Sequence, residues 1–173
     1  MRASARLNIV FFGEVRGGGN FTGTGTTYFE GGYSPGNSPA LITFGGNTVF
    51  GTFNTLFMEV GGTARGAQYD AMDVADKLTF DGFLNVSLIN AFVPSLGNAF
   101  NLFDWGTTAG TFTSVSVPTL NPGLAWDQST LYTAGTTICR RGTAGRLSFA
   151  RTGARLALAA GVRTGRYIPP LAD

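Results

Sequence analysis

The chain has 173 residues, a formal net charge of +2 and no histidine, and it is rich in glycine (26) and phenylalanine (15) while only 13% of it is charged. That length suits one domain with a real core, and low charge beside 43% hydrophobic residues argues against a disordered chain. Without histidine there is no Ser-His-Asp or Cys-His nucleophile and no His-containing zinc site, and the single cysteine, Cys139, can form neither an internal disulfide nor a Cys-rich metal site.

The charge is unevenly placed. Residues 1 to 138 carry five bases and nine acids, net −4, whereas residues 139 to 173 carry seven arginines against Asp173, net +6. The basic character therefore belongs to the C-terminal segment alone.

At the N-terminus, Arg2 and Arg6 precede an apolar run from Leu7 to Phe12 that is broken by Asn8. This is shorter than a signal-peptide core and lacks a small-residue cleavage pattern before Glu14, so the chain as written reads without an export signal or a membrane span. The glycine-rich stretch from Gly17 to Gly25 offers Gly-x-Gly spacing, but no strand and helix frame it and no P-loop lysine follows. It is not a nucleotide site; residues 1–21 read as a leader or an incomplete first coil.

Between residues 20 and 138, helical periodicity is almost absent. Short apolar, β-branched and aromatic runs recur instead: LITF (41–44), TLFMEV (55–60), AMDV (71–74), KLTF (77–80), FLNVSLI (83–89), AFNLFDW (99–105) and TFTSVSV (111–117). Gly, Asn, Asp or Pro separates most of them, as turns require. Leu84, Val86 and Leu88 share one strand face, as do Leu56, Met58 and Val60, so one face of each strand is buried.

Only Asp81-Gly82 makes a tight hairpin signal. Short strands punctuated this way predict an all-β domain over residues 22–138, a parallel β-helix whose coils cover one another's apolar faces. A β-sandwich or jelly roll fits the same punctuation and remains the alternative.

Candidate chemistry is sparse. The acids Asp70, Asp73, Asp76 and Asp81 suggest Ca²⁺ ligands or a general acid and base for polysaccharide cleavage, yet they lack the EF-hand and Gly-Gly-x-Gly-x-Asp calcium spacings. Read as strand-end residues, they cap backbone groups. Glu59 reads as a solvated residue able to pair with Arg65 or Lys77. Trp105, Trp126, Tyr132 and Tyr69 are either a sugar platform or partly buried anchors packed in the core or at coil ends. Asn85, Asn90, Asn98 and Asn101 suit stacked ladders within turns. No catalytic, cofactor-binding or metal-ligating residue is assigned from the sequence.

The segments GGYSPGNSPA (31–40), MEVGGTARGAQYDAMDV (58–74), DGFLNVSLINAFVPSLGNAFNLFDW (81–105) and GTFTSVSVPTLNPGLAWDQSTLYTAGTT (110–137) together resemble exported bacterial PEP-CTERM sorting-signal proteins with autotransporter-like β-strand repeats. The resemblance covers the body only. It implies a cell-surface or extracellular location and a non-enzymatic structural or adhesive role, with extracellular polysaccharide or other surface proteins as partners. A carbohydrate-binding module and a carboxylate-dependent polysaccharide lyase or hydrolase are the competing classes. Nucleic acid is not an expected partner, and self-association through exposed coil ends is expected.

Proteins of that kind finish with a Val-Pro-Glu-Pro motif, an apolar stretch and an arginine cluster. Here residues 139–173 are rich in Arg, Ala and Gly. Ile138 to Ala144 can be encoded so that reading from the second base spells Ser-Val-Val-Val-Glu-Pro, so residues 139–173 are expected to be a frameshift product. As it stands, this tail is expected to be disordered or marginally helical. Arg151 and Arg155 lie beside Leu147, Leu156 and Leu158, but four glycines (Gly145, Gly153, Gly161, Gly165) weaken a helix by about 1 kcal/mol each.

Overall fold

In the computed structural model, residues 6 to 142 are described. These residues are all-β apart from one helical turn, and their elements in chain order are β1 (Ile9–Phe11), β2 (Val15–Gly17), β3 (Thr26–Phe29), β4 (Gly32–Pro35), β5 (Leu41–Phe44), β6 (Asn47–Phe50), β7 (Thr55–Val60), β8 (Ala71–Phe80), β9 (Phe83–Leu88), β10 (Ala99–Asn101), β11 (Phe103–Gly110), β12 (Ser114–Ser116), β13 (Leu124–Asp127), α1 (Leu131–Ala134) and β14 (Thr136–Arg141).

Two sheets are parallel throughout. The first runs β1-β3-β6-β8-β11, with β5 also pairing β8, and the second runs β12-β9-β7-β4-β2. In the first, Ile9 opposes Thr27, Thr27 opposes Thr48, Thr48 opposes Leu78 and Leu78 opposes Thr108, steps of 18, 21, 30 and 30 residues. In the second, Val15, Tyr33, Leu56, Leu84 and Val115 follow one another in the same way. A third line joins Phe21 to Phe44, Phe44 to Val74 and Val74 to Trp105. Each return to a sheet thus passes through the other sheet first, which is the long crossover that parallel pairing demands.

Alternation aims one side of strands such as β3, β6, β7 and β9 at the interior. Phe11, Phe29, Phe50 and Phe80 form a column of rings with centroids 5.4, 5.9 and 6.4 Å apart, and Phe21 stacks on Phe44 at 4.6 Å. Gly110 ends the column, and Phe112 reaches in instead, 5.0 Å from Phe80. Burying each such ring contributes about 2–3 kcal/mol.

The two expected runs AMDV and KLTF are one strand, β8. It turns a corner at Ala75, Asp76 and Lys77, its three exposed residues, so its first half pairs β5 and its second half β6. The run AFNLFDW is divided: β10 joins the third sheet and β11 the first, because the Leu102 N–H donates to the Gly135 carbonyl instead of a ladder partner.

Corners carry a polar ladder. Asn8 Oδ1 accepts from the Thr26 N–H (3.1 Å), Asn47 Nδ2 donates to Thr26 Oγ1 (3.2 Å), and Asn47 Oδ1 accepts from the Lys77 N–H (3.2 Å). Asn20 does the same for Thr43. These amides satisfy backbone donors at the start of β3, within β5 and at the β8 corner.

Gly82 sits at such a corner with φ +66°, and a β-carbon there would overlap the carbonyl oxygens of Asn54 and Gly51. Gly82→Ala combines left-handed strain with this overlap, so a loss of at least about 2 kcal/mol is expected in urea unfolding. A change below about 0.5 kcal/mol, the scatter of an ordinary surface substitution, would refute the corner geometry.

The third sheet, β10-β14-β13, is antiparallel. Helix α1 packs on both β11 and β14 and so links this sheet to the first. Strand β14 continues through Arg141, past the change in composition at residue 138. Cys139 is buried opposite Trp126, and Arg140 Nε lies 2.5 Å from Asp127 Oδ2. The remainder of the arginine-rich segment, including Arg151 and Arg155, lies outside the described residues.

Candidate functional site

Asp70 immediately precedes β8, where the chain comes off a turn held by Gln68 and Ala64. Asp70 is 1% exposed; its carboxylate accepts from the Ala40 N–H at 2.8 Å and the Glu59 N–H at 2.7 Å, while the Asp70 backbone N–H donates to the Glu59 carbonyl. One side chain thereby ties the entry to β5, the end of β7 and the start of β8. Burial pushes its carboxyl up to about 7 against the opposing pull of the two N–H groups, and the Glu59 charge adds to the rise. Tyr33, interior on β4 and stacked on Phe29 at 4.2 Å, has its phenol pushed up by burial and then by the Asp70 charge.

Asp70 also borders an open groove of about 280 Å³ on the outward side of the second sheet. Strand alternation turns Arg16 of β2, Phe57 and Glu59 of β7, and Ser87 of β9 toward this groove, and Asn37 closes it from the turn after β4. The Phe57 ring lies over Gly32, where a β-carbon would stand 3.7 Å from it. Arg16 is tied to Glu14 by hydrogen bonds of 2.8 and 2.5 Å. With that cation neutralised, Glu59 leaves the groove net negative.

The other expected acids do not converge on Asp70. Asp73 of β8 and its register partner Asp104 of β11 share Arg65, at 2.6 and 3.1 Å, and Arg65 Nε also donates to the Asn101 carbonyl. Arg65 is therefore engaged by Asp73 and Asp104 and not by Glu59, because these two carboxylates stack on adjacent strands and would otherwise repel. Asp76 is exposed at the β8 corner. Asp81 accepts from the Gly82 N–H, Thr52 Oγ1 and Thr113 Oγ1, and these bonds hold its carboxyl below the usual range. Among the described residues, no three His, Cys, Asp or Glu side chains gather to hold a metal ion.

The aromatics are packed. Trp105 meets Phe80 edge-on at 5.8 Å, and Trp126 lies 5.7 Å from Phe100 with its Nε1 donating to the Pro118 carbonyl at 2.7 Å. Tyr69 is buried against Phe100, and the Tyr132 hydroxyl accepts from the Phe112 N–H. The two tryptophans sit in different sheets and share no outward platform.

Of the four asparagines expected to stack, Asn85 is exposed on β9, Asn90 holds a left-handed turn (φ 54°), Asn98 caps Ser95, and Asn101 bonds Asp104. The ladder role falls to Asn8, Asn20 and Asn47 instead. The glycine-rich stretch leads into Phe21 on Phe44 without a following helix.

No helix among the described residues is long and apolar enough to cross a membrane. No protein-family model, curated protein or solved structure matches this chain.

Proposed function

We propose that the chain is a non-enzymatic structural or adhesive module of the bacterial cell surface or extracellular matrix, built as successive coils of a parallel β-solenoid. The observation that carries this reading is the in-register parallel stacking of strands in both sheets, with aromatic columns between them. A sandwich of antiparallel Greek-key strands has no reason to bring Ile9, Thr27, Thr48, Leu78 and Thr108 into one parallel line. Each coil repeats a scaffold and frees its outward positions to vary, which is how solenoids build extended contact surfaces.

The surface location rests on the motif series between residues 31 and 137 that resembles exported PEP-CTERM proteins. The non-enzymatic role is supported by Asp70, whose oxygens are engaged by two backbone N–H groups and thus serve the fold. Self-association is expected through β1 and β2, the outermost strands of their sheets, where Ile9 and Val10 are 41% and 45% exposed.

Protease treatment of intact producing cells tests the location. Loss of the chain from intact cells, with a cytoplasmic marker spared, is the expected result; protection until lysis would overturn the surface assignment.

A further inference from the structure

The outward face of the second sheet carries a pair of features that a pure scaffold does not need. Phe57 and Phe83 stand 37% and 41% exposed on adjacent strands β7 and β9. They are diagonal neighbours, since Thr55 opposes Phe83 and Phe57 opposes Asn85. Leaving two rings in water forgoes burial energy, and strands at this spacing present both rings on one side.

The surroundings of these rings are hydroxyls, amides, the Glu59 carboxylate and the Arg16–Glu14 ion pair. Ser34, Asn85, Ser87 and Ser114 occupy outward positions around them, and the groove beside Phe57 adds Asn37 and Glu59. A protein interface has a contiguous apolar centre, which this face lacks. A pyranose ring matches it: its C–H face lies flat on an aromatic ring, while its rim of hydroxyls donates to a carboxylate and exchanges hydrogen bonds with amide and serine groups. The groove of about 280 Å³, at the small end of ligand-site sizes, suits one sugar ring. Charge selects further. Arg16 is tied to Glu14, so Glu59 leaves the groove negative, which disfavours uronic acids and sulfated sugars.

We infer that the outward face of β7 and β9 is a binding site for a neutral glycan, with Phe57 and Phe83 as stacking platforms and Glu59, Asn37 and Ser87 as the hydroxyl-binding groups of the central subsite. This rests on the surface-module reading above, because it supplies the extracellular polysaccharide partner.

The test is isothermal titration of the full-length protein with cellohexaose, mannohexaose, chitohexaose and hexagalacturonate, together with Phe57→Ala, Glu59→Gln and, as a control outside this face, the exposed Leu96→Ala beside the third sheet. Binding of at least one neutral hexasaccharide and none of hexagalacturonate is expected, weakened tenfold or more by Phe57→Ala and by Glu59→Gln and unchanged by Leu96→Ala. Both site residues are partly exposed, so the variants are expected to keep the parent urea midpoint. No binding of any neutral probe, or equal binding by Phe57→Ala, would overturn the site. So would a concentration-dependent dimer that Phe57→Ala abolishes in the absence of sugar, which would make the face a self-contact. A negative titration with the protein still stripped from intact cells by protease removes the glycan site alone; protection from protease removes the surface reading.

Discussion

Phe50→Ala is expected to destabilise the chain by about 3–5 kcal/mol, whereas Phe53→Ala changes stability by no more than about 0.5 kcal/mol. The two phenylalanines lie on opposite sides of one corner. Phe50 is fully buried, with ring neighbours Phe29, Phe80 and Phe112 at 5.9, 6.4 and 6.0 Å; Phe53 is 82% exposed. The column cannot collapse into the vacated space, because the strands above and below are held apart at the ladder spacing by their own hydrogen bonds. The cavity therefore persists and adds its cost to the lost transfer energy. Urea unfolding should show a large drop in midpoint at unchanged slope for Phe50→Ala alone. Comparable effects of the two substitutions would contradict the stacked interior.

Stability is expected to fall as the pH rises from about 4 to about 7, with Asp70 as the origin. In the unfolded chain this carboxyl loses its proton in the ordinary range near 3.8, while in the fold burial holds the proton until about 7. Between those values the folded state binds the extra proton, so raising the pH favours unfolding. The contribution is complete below the unfolded value and gone above the folded one. A rise of about three units corresponds to at most about 4 kcal/mol. Asp81 and Asp127, held below the usual carboxylate range by hydrogen bonds, act in the opposite sense and only at more acid pH.

Asp70→Asn isolates the effect. An amide cannot titrate, so the stability of this variant should be flat across the same window. It also offers one acceptor where the carboxylate offers two, leaving either the Ala40 or the Glu59 N–H unpaired at a cost of about 1–3 kcal/mol. Melting curves on the acid side, in the middle and on the alkaline side of that window measure both quantities. A parent protein whose stability rises across it, or an Asp70→Asn variant with the parent slope, would show that Asp70 is not the group responsible.

Several strands are legible in the sequence alone. LITF and TLFMEV coincide with β5 and β7, and FLNVSLI overruns β9 by one residue. Leu56, Met58 and Val60 are all fully buried, as alternation requires. Strands such as β2 (Val-Arg-Gly) and β4 (Gly-Tyr-Ser-Pro) were not legible, because they are short and contain no apolar run. They hold their shape through ladder bonds to β4 and β7. The same reason hid the asparagine ladder. Asn8, Asn20 and Asn47 are ordinary turn residues until the next pass of the chain sets a backbone N–H opposite each.

The candidate site divides in the same manner. Asp70, Glu59 and Arg65 were visible as charged residues in a chain with few of them, and the capping role expected of the aspartates describes Asp70 and Asp81 well. Which partner each takes was not visible. Asp104 lies 39 positions from Arg65 and reaches it only because β11 stacks on β8.

By itself, the sequence determined composition-level facts and local ones: no histidine chemistry, an all-β body, and which side of β7 and β9 turns inward. Alternation is a property of neighbouring residues, so it survives without knowledge of the rest of the chain. Only the tertiary structure decided which strands are neighbours, that Asp70 is closed in by two backbone donors, and that Phe57 and Phe83 share one outward face. Those depend on the number of residues taken up by each crossover, a length set by turns and corners that carry no period of their own.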